Sequence, residues 1–191
     1  MGGLTHHPHG GKFLDPQENV DLDCGRGFTI ARMERPTFDL LGFLDEPYRA
    51  ASVATTTESG EAALAMMWFL LEDGRFWFNS PQTEGQPAPL LQAAREGLHV
   101  AVMVATFNPP HDVRQTRVVG PARLEERDIS LVRHIYGRYV PTWTPSWEAH
   151  AASAKFHLWS VRPDRGMAVT YPDLADQPVF RWSTHQTFLS L

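Results

Sequence analysis

An Asp-Gly pair at Asp73-Gly74 separates two strongly apolar runs, and no other feature of the chain constrains its fold as tightly. Asp-Gly readily supplies the two positive-φ positions of a tight hairpin, so the flanking runs should lie side by side as antiparallel strands. Before the pair stands Ala62 to Leu71, a continuous apolar run ending in Met66-Met-Trp-Phe-Leu-Leu71, and after it Arg75-Phe-Trp-Phe-Asn-Ser80. The first run is also long enough for a buried helix. The turns at its two ends, Glu58-Ser-Gly-Glu61 and Glu72-Asp-Gly-Arg75, favour a strand buried on both faces.

Further strands follow from the same reasoning. Ala50-Ala-Ser-Val-Ala-Thr-Thr-Thr57 is small and β-branched, and Leu98 to Thr106 is apolar throughout. Val113 to Glu125 reads as a long strand interrupted at Gly120-Pro121, Lys155 to Val161 as an alternating strand, and Gly166 to Tyr171 as a last one. Helical spacing places short helices at Arg35–Pro47 (Phe38, Leu41, Leu44), at Leu90–Gly97 with Gly97 as a left-handed cap, and at Arg127–Val140 with Asp128 as N-cap. Trp147 to Ala154 reads as another. A strand-rich chain with one helix between its third and fourth strands predicts a mainly β (α+β) fold, an antiparallel barrel with short helices around it. Closure is expected because exposed edges of such apolar strands aggregate.

Domain organisation is read as an N-terminal arm over 1–30, a barrel domain over 31–175 and a C-terminal extension over 176–191. The arm carries His6, His7 and His9, but a Gly-flanked terminus does not hold metal-ligand geometry. Cys24 is the sole cysteine, so there is neither a disulfide framework nor a cysteine zinc cluster. A net charge of −5 argues against a nucleic-acid surface. No run reaches the roughly 18–20 apolar residues of a membrane span, and the start lacks a leader pattern, so a cytoplasmic protein is expected. Among 17 basic residues only Lys12 and Lys155 are lysines, so an anion site must use arginine, hydroxyls or backbone amides.

The ordered set of Phe38–Leu44, Ser52-Val-Ala-Thr55, Glu58-Ser-Gly60, Met67-Trp-Phe69, Asp73-Gly74 and Phe76-Trp-Phe78 resembles the split β-barrel of the pyridoxamine-phosphate-oxidase-like superfamily. Leu90–Glu96, Gly97–Val104, Val118-Val-Gly-Pro-Ala-Arg-Leu124 and Lys155–Val161 continue the resemblance, which covers about residues 36–172. The resemblance implies a homodimer holding FMN, or alternatively the deazaflavin coenzyme F420 or haem, in clefts between subunits. It implies a flavin- or deazaflavin-dependent oxidoreductase acting on a small organic substrate. The ring would rest near Val53, Ala54, Thr55, Met67, Trp68 and Phe69, with Asn79, Ser80, Thr83, Arg95 and Arg117 as further contacts.

One departure stands out. The family's phosphate-binding cation falls near Pro89-Leu90 here, and neither side chain can pair with phosphate. Arg95 lies about one and a half turns further along the helix and would need a register shift. Each charge-assisted hydrogen bond lost costs ~1.5–3 kcal/mol. Arg114, Arg117 and Arg123 are other candidate anion contacts. In a flavin-free barrel, His99, His111, His134, His150 and His157 become possible ligands or acid/base groups; a non-catalytic accessory protein is the remaining alternative. Trp143, Trp147 and Trp159, with Tyr136 and Tyr139, wall either a pocket or a packed core, with packing favoured. No hydrolase triad, phosphate-cradling Gly loop or zinc motif is present.

Overall fold

The computed structural model describes residues 39–82, 84–170 and 179–190. The arm with Cys24 and its histidines, Phe38, Thr83 and Tyr171 lie outside the described residues. All those described belong to one unit, Arg35–Leu191. In chain order they form α1 (Leu40–Asp45), β1 (Ala50–Thr56), β2 (Ala62–Trp68), β3 (Leu70–Glu72), β4 (Arg75–Pro81), α2 (Pro89–Glu96), β5 (His99–Ala105) and β6 (Arg114–Leu124). There follow α3 (Ile129–Gly137), α4 (Pro145–Ala152), β7 (Phe156–Val161), β8 (Arg165–Thr170), β9 (Val179–Trp182) and α5 (His185–Leu189). No helix among the described residues is long and apolar enough to cross a membrane.

Every strand pairing is antiparallel, and the strands run in the order β2-β1-β5-β6-β7-β4-β3, with β8 against β6 and β9 beyond it. The sheet curls into a split barrel with short helices packed around it, the expected mainly β (α+β) architecture. Asp73 and Gly74 have φ of 51° and 69°, the two positive values the hairpin requires, and Glu72 faces Arg75 across the turn. Gly97 caps α2 at φ 68°, and the Asp128 carboxylate accepts from the amides of Ser130 and Leu131 at the start of α3. Inside the curl, Phe43, Val53, Phe69, Phe76, Phe78, Leu91 and Val100 form the main core with Trp159. Phe78 stacks on Trp159 at 4.6 Å. A smaller cluster of Val132, Ile135, Tyr136, Ala151 and Leu158 seats α3 and α4 on the outside of β7.

Several expectations are corrected. Ala62–Leu71 is not one strand buried on both faces. The chain leaves the β1 ladder after Trp68, passes Phe69, and joins β4 as β3. β2 has β1 as its hydrogen-bonding neighbour, and alternate side chains stand in the open, with Leu64 73% and Met66 78% exposed. The Tyr139 hydroxyl takes over at the break. It accepts from the Phe69 amide at 3.0 Å, donates to the Arg49 carbonyl, and lies 3.1 Å from the Phe69 carbonyl oxygen.

Gly120-Pro121 does not interrupt β6. The strand runs through it while changing partners, from β5 and β8 to β7. A Cβ at position 120 would lie 1.6 Å from the Arg162 carbonyl oxygen, so the glycine permits a close backbone approach instead of marking a break. β7 is buried from Leu158 to Val161 with no alternation, because α3 and α4 cover the face turned away from the main core. α4 begins earlier than expected, at Pro145, with the Thr144 hydroxyl capping Trp147. α1 is limited to Leu40–Asp45, and the Asp39 carboxylate caps the Gly42 amide at 2.8 Å.

Candidate functional site: an apolar sheet face ending in a polar cleft

Alternation along β1 sorts its residues by face. Ala51, Val53 and Thr55 point into the barrel, while Ala50, Ser52, Ala54 and Thr56 point out. Ser52 stands opposite Met66 on one side and Met103 on the other; Ala54 stands opposite Leu64 and Ala101. Directly opposed residues share a face. The outer surface is therefore a shallow floor of Ser52, Ala54 and Ala101 between Leu64, Met66 and Met103.

The ring-side residues expected from the sequence divide across these faces. Val53, Thr55 and Phe69 are buried in the barrel, and Met67 packs against the same core. Ala54 lies on the open floor. Trp68 is 39% exposed and stacks flat on Tyr139 at 4.7 Å, beside Tyr136 and Trp147. Ser52, Leu64 and Met66 were missed; the signal was the two-residue alternation of β1, which sets small and polar side chains against Val53.

Following the outer row of β1 past Thr56 leads into a cleft of about 720 Å³ between the Thr57–Glu61 turn and α2. Thr56, Thr57, Ser59, Gln86, Gln92 and Arg95 line it with hydroxyl, amide and guanidinium groups, and Glu58, Glu61 and Glu96 bring carboxylates to the same lining. The Arg95 guanidinium donates to the Gln82 side chain, just past the end of β4. Arg95, in the last turn of α2, thus reaches the residue that follows β4. At the other end of that helix Pro89 has no amide hydrogen and Ala88 offers no capping side chain.

Other expected contacts lie elsewhere. Ser80 is buried, and its hydroxyl accepts the Trp159 indole N–H at 2.8 Å. Asn79 faces the opposite side, where it donates to the Tyr136 hydroxyl at 2.7 Å and accepts from Arg127 at 3.4 Å. Arg117 stands opposite Met103 on the outer face, and its Nε donates to the Gln115 side chain at 2.8 Å.

Arg114 is already engaged. Its Nε and Nη2 donate to Asp112 at 2.6 and 2.9 Å, it also pairs with Glu46, and it lies 4.7 Å over the Phe43 ring. The hydrogen bond from Arg114 holds the Asp112 carboxyl down at about 2, helped by the Thr106 hydroxyl and opposed by desolvation. Glu46 is lowered as well, first by its hydrogen bond from Arg114. Arg123 lies at a separate cleft, with Arg75 and Arg162.

The five candidate histidines fall on different elements. His99 is exposed on the outer side of β5, 3.9 Å from Asp164; His134 lies 3.7 Å from Glu72; His150 packs on Phe156 at 4.4 Å. His111 is in the loop before β6, and His157 is half-buried in β7 opposite Ser80. No group of three or more metal-binding side chains occurs among the described residues. Trp159 and Tyr136 are core residues, and Trp147 packs against the smaller cluster. Trp143 is partly exposed, and its indole N–H donates to Glu148 at 3.0 Å.

No family model matches the chain, and no curated protein matches it by sequence. Solved structures do match. A conserved hypothetical protein of Mycobacterium tuberculosis superposes with a TM-score of 0.55 at 15% identity, over 81% of this chain and 89% of that one. ChuZ of Campylobacter jejuni gives 0.53 at 12% identity, over 69% of this chain and 56% of its own. A heme binding protein of Mycobacterium smegmatis gives 0.51 at 12%, over 74% of this chain and 55% of its own. The chain thus spans a little over half the length of these last two. Similarity at this level speaks for the fold. In fold, the chain is an antiparallel sheet curled into a split barrel with short helices around it, and these solved structures share that fold.

Proposed function

We propose that two copies of this chain together bind a flat aromatic cofactor with an anionic tail, FMN or a deazaflavin, and use it in redox chemistry on a small organic substrate. One observation carries the reading: the floor of small residues Ser52, Ala54 and Ala101, flanked by Leu64, Met66 and Met103, runs at Thr56 into a polar cleft that contains Arg95. A ring needs a flat apolar surface with few polar contacts, and its tail needs donors at one end. Thr56, Thr57, Ser59, Gln86, Gln92 and Arg95 are the donor set for that tail. Arg95 adds the cation otherwise missing at Pro89-Leu90, and a guanidinium fork suits phosphate oxygens. Bound there, such a cofactor supplies hydride or electron transfer. The residues of this chain would position it and keep water from the ring.

The second copy follows from the same floor. Leu64, Met66 and Met103 are exposed together on one sheet face beside an open edge strand, a surface of the kind that protein partners cover. Packing a twin against it would close a slot over the floor.

A second reading, haem, has one feature in its favour. His99 lies on the outer face in the same row as Ala101 and Met103, a single imidazole beside an apolar surface, and the Mycobacterium smegmatis protein of the same fold is named as heme binding. Titrating purified protein with FMN, with deazaflavin and with haem separates the cases. Saturable quenching of flavin or deazaflavin fluorescence supports the first. A Soret band that His99→Ala abolishes supports the second. A protein indifferent to all three sinks both.

A further inference from the structure

A second cleft, of about 540 Å³, meets the first at Arg95 and Glu96. Four guanidinium side chains line it: Arg75 at the start of β4, Arg95 in α2, Arg123 in β6, and Arg162 just after β7. They come from four separate elements and converge on one concavity. A merely solvated charged face would more simply string its charges along a single strand or helix. The sole acid in the lining, Glu96, accepts a hydrogen bond from Gln92 on the preceding helical turn. All this sits on a protein whose net charge is −5.

The four differ in how far they are already compensated. Arg75 Nη1 donates to the Ser160 hydroxyl at 3.2 Å and lies 3.7 Å from Glu125. Arg162 is paired with Asp164 at 2.7 Å. Asp164 holds Arg162 through two nitrogens, Arg75 is held through one, and a carboxylate offsets the charge of each. Arg95 has only the neutral Gln82 as a partner, and Arg123 is exposed with no partner among the described residues. The cleft therefore presents two guanidinium groups held beside carboxylates, Arg75 and Arg162, and two with no carboxylate partner, Arg95 and Arg123. Guanidinium forks bind phosphate and carboxylate oxygens in pairs of parallel hydrogen bonds.

We infer that this cleft binds a small molecule carrying at least two oxyanion charges, phosphate or carboxylate, at a place separate from the ring-binding floor. The inference does not depend on flavin binding, because Arg95 alone of the four arginines is shared with the Thr56 cleft, and Arg75, Arg123 and Arg162 take no part in it or in the floor.

The test is calorimetric titration of the full chain at low salt, without flavin, using pyrophosphate in one series and citrate in the other. Saturable binding of either is expected, and the tighter of the two identifies phosphate or carboxylate as the preferred group. Arg123→Ala should weaken it about tenfold or more, since a charge-assisted pair is lost. Arg123→Lys should fall between, keeping the charge but not the fork. Arg133→Ala, which removes an exposed arginine of α3 paired with Glu148 of α4, should bind as the wild type does. Circular dichroism melts establish that each variant is folded, and Arg162→Ala provides a second probe if Arg123→Ala is not. The inference is overturned if neither anion binds, if removing Arg123 or Arg162 changes nothing, or if removing Arg133 costs as much.

Discussion

Gly120 lies where the backbone of β6 runs against the Arg162 carbonyl, and a methyl group there would have only 1.6 Å of room. The obstacle is backbone on both sides, so no rotamer change relieves it. Gly120→Ala should lower stability by about 3 kcal/mol or more in urea denaturation. Gly137, the last residue of α3, makes the opposite case: nothing lies within 4 Å of its missing Cβ. Gly137→Ala should be neutral or stabilising by up to about 1 kcal/mol, since alanine reduces backbone freedom in the unfolded chain. A second residue-level expectation concerns acid. Asp112 titrates near 2 in the fold against an ordinary 3.8, held there first by Arg114. A depressed folded pKa means that its stabilisation is complete above about pH 4 and drains away as pH falls toward 2. The melting temperature should drop through that window, and Asp112→Asn should flatten the drop while costing stability at neutral pH.

At the scale of elements, the turn chemistry was legible in the sequence and the strand break was not. Asp73-Gly74, Gly97 and Asp128 each declare a local backbone requirement that no distant contact can easily override, and each sits where that requirement places it. The run Met67-Trp68-Phe69-Leu70 carries no Gly, Pro or polar residue to announce a change of ladder. What ends β2 and starts β3 is a partner some seventy residues away, the Tyr139 hydroxyl that takes the Phe69 amide in place of a strand. Tyr139→Phe leaves that amide without its partner inside the fold. A loss of about 1–3 kcal/mol should follow in equilibrium denaturation. If the variant matched the wild type, the hydroxyl would have no part in holding the break. The length of β6 was hidden for a related reason. Gly-Pro usually ends a strand, but here Pro121 occupies a position where β6 is changing neighbours.

For the whole molecule, the sequence order of strands and turns was enough to indicate the split barrel. It was not enough to say which side of each strand faces out. Val53 and Ala54, or Met67 and Trp68, are equally apolar neighbours in the sequence, and only the register of β1 between β2 and β5 separates core from surface. The same register leaves Leu64 and Met66 on an uncovered face. The double substitution Leu64→Asp with Met66→Asp should convert a dimer to a monomer in sedimentation velocity with little change in melting temperature, because neither side chain is buried within one protomer. A wild-type protein that sediments as a monomer at high micromolar concentration would remove the twin from the proposed site. Arg95 was visible in the sequence but lay off the expected position, since its contact with Gln82, thirteen residues earlier, has no local signature. Its role is also where the functional proposal is most exposed. The decisive measurement is the FMN dissociation constant of Arg95→Ala against wild type, with melting temperature as control: a ten- to hundredfold weakening in a protein of unchanged stability is predicted, and an unchanged constant would contradict a cofactor tail bound in the Thr56–Arg95 cleft.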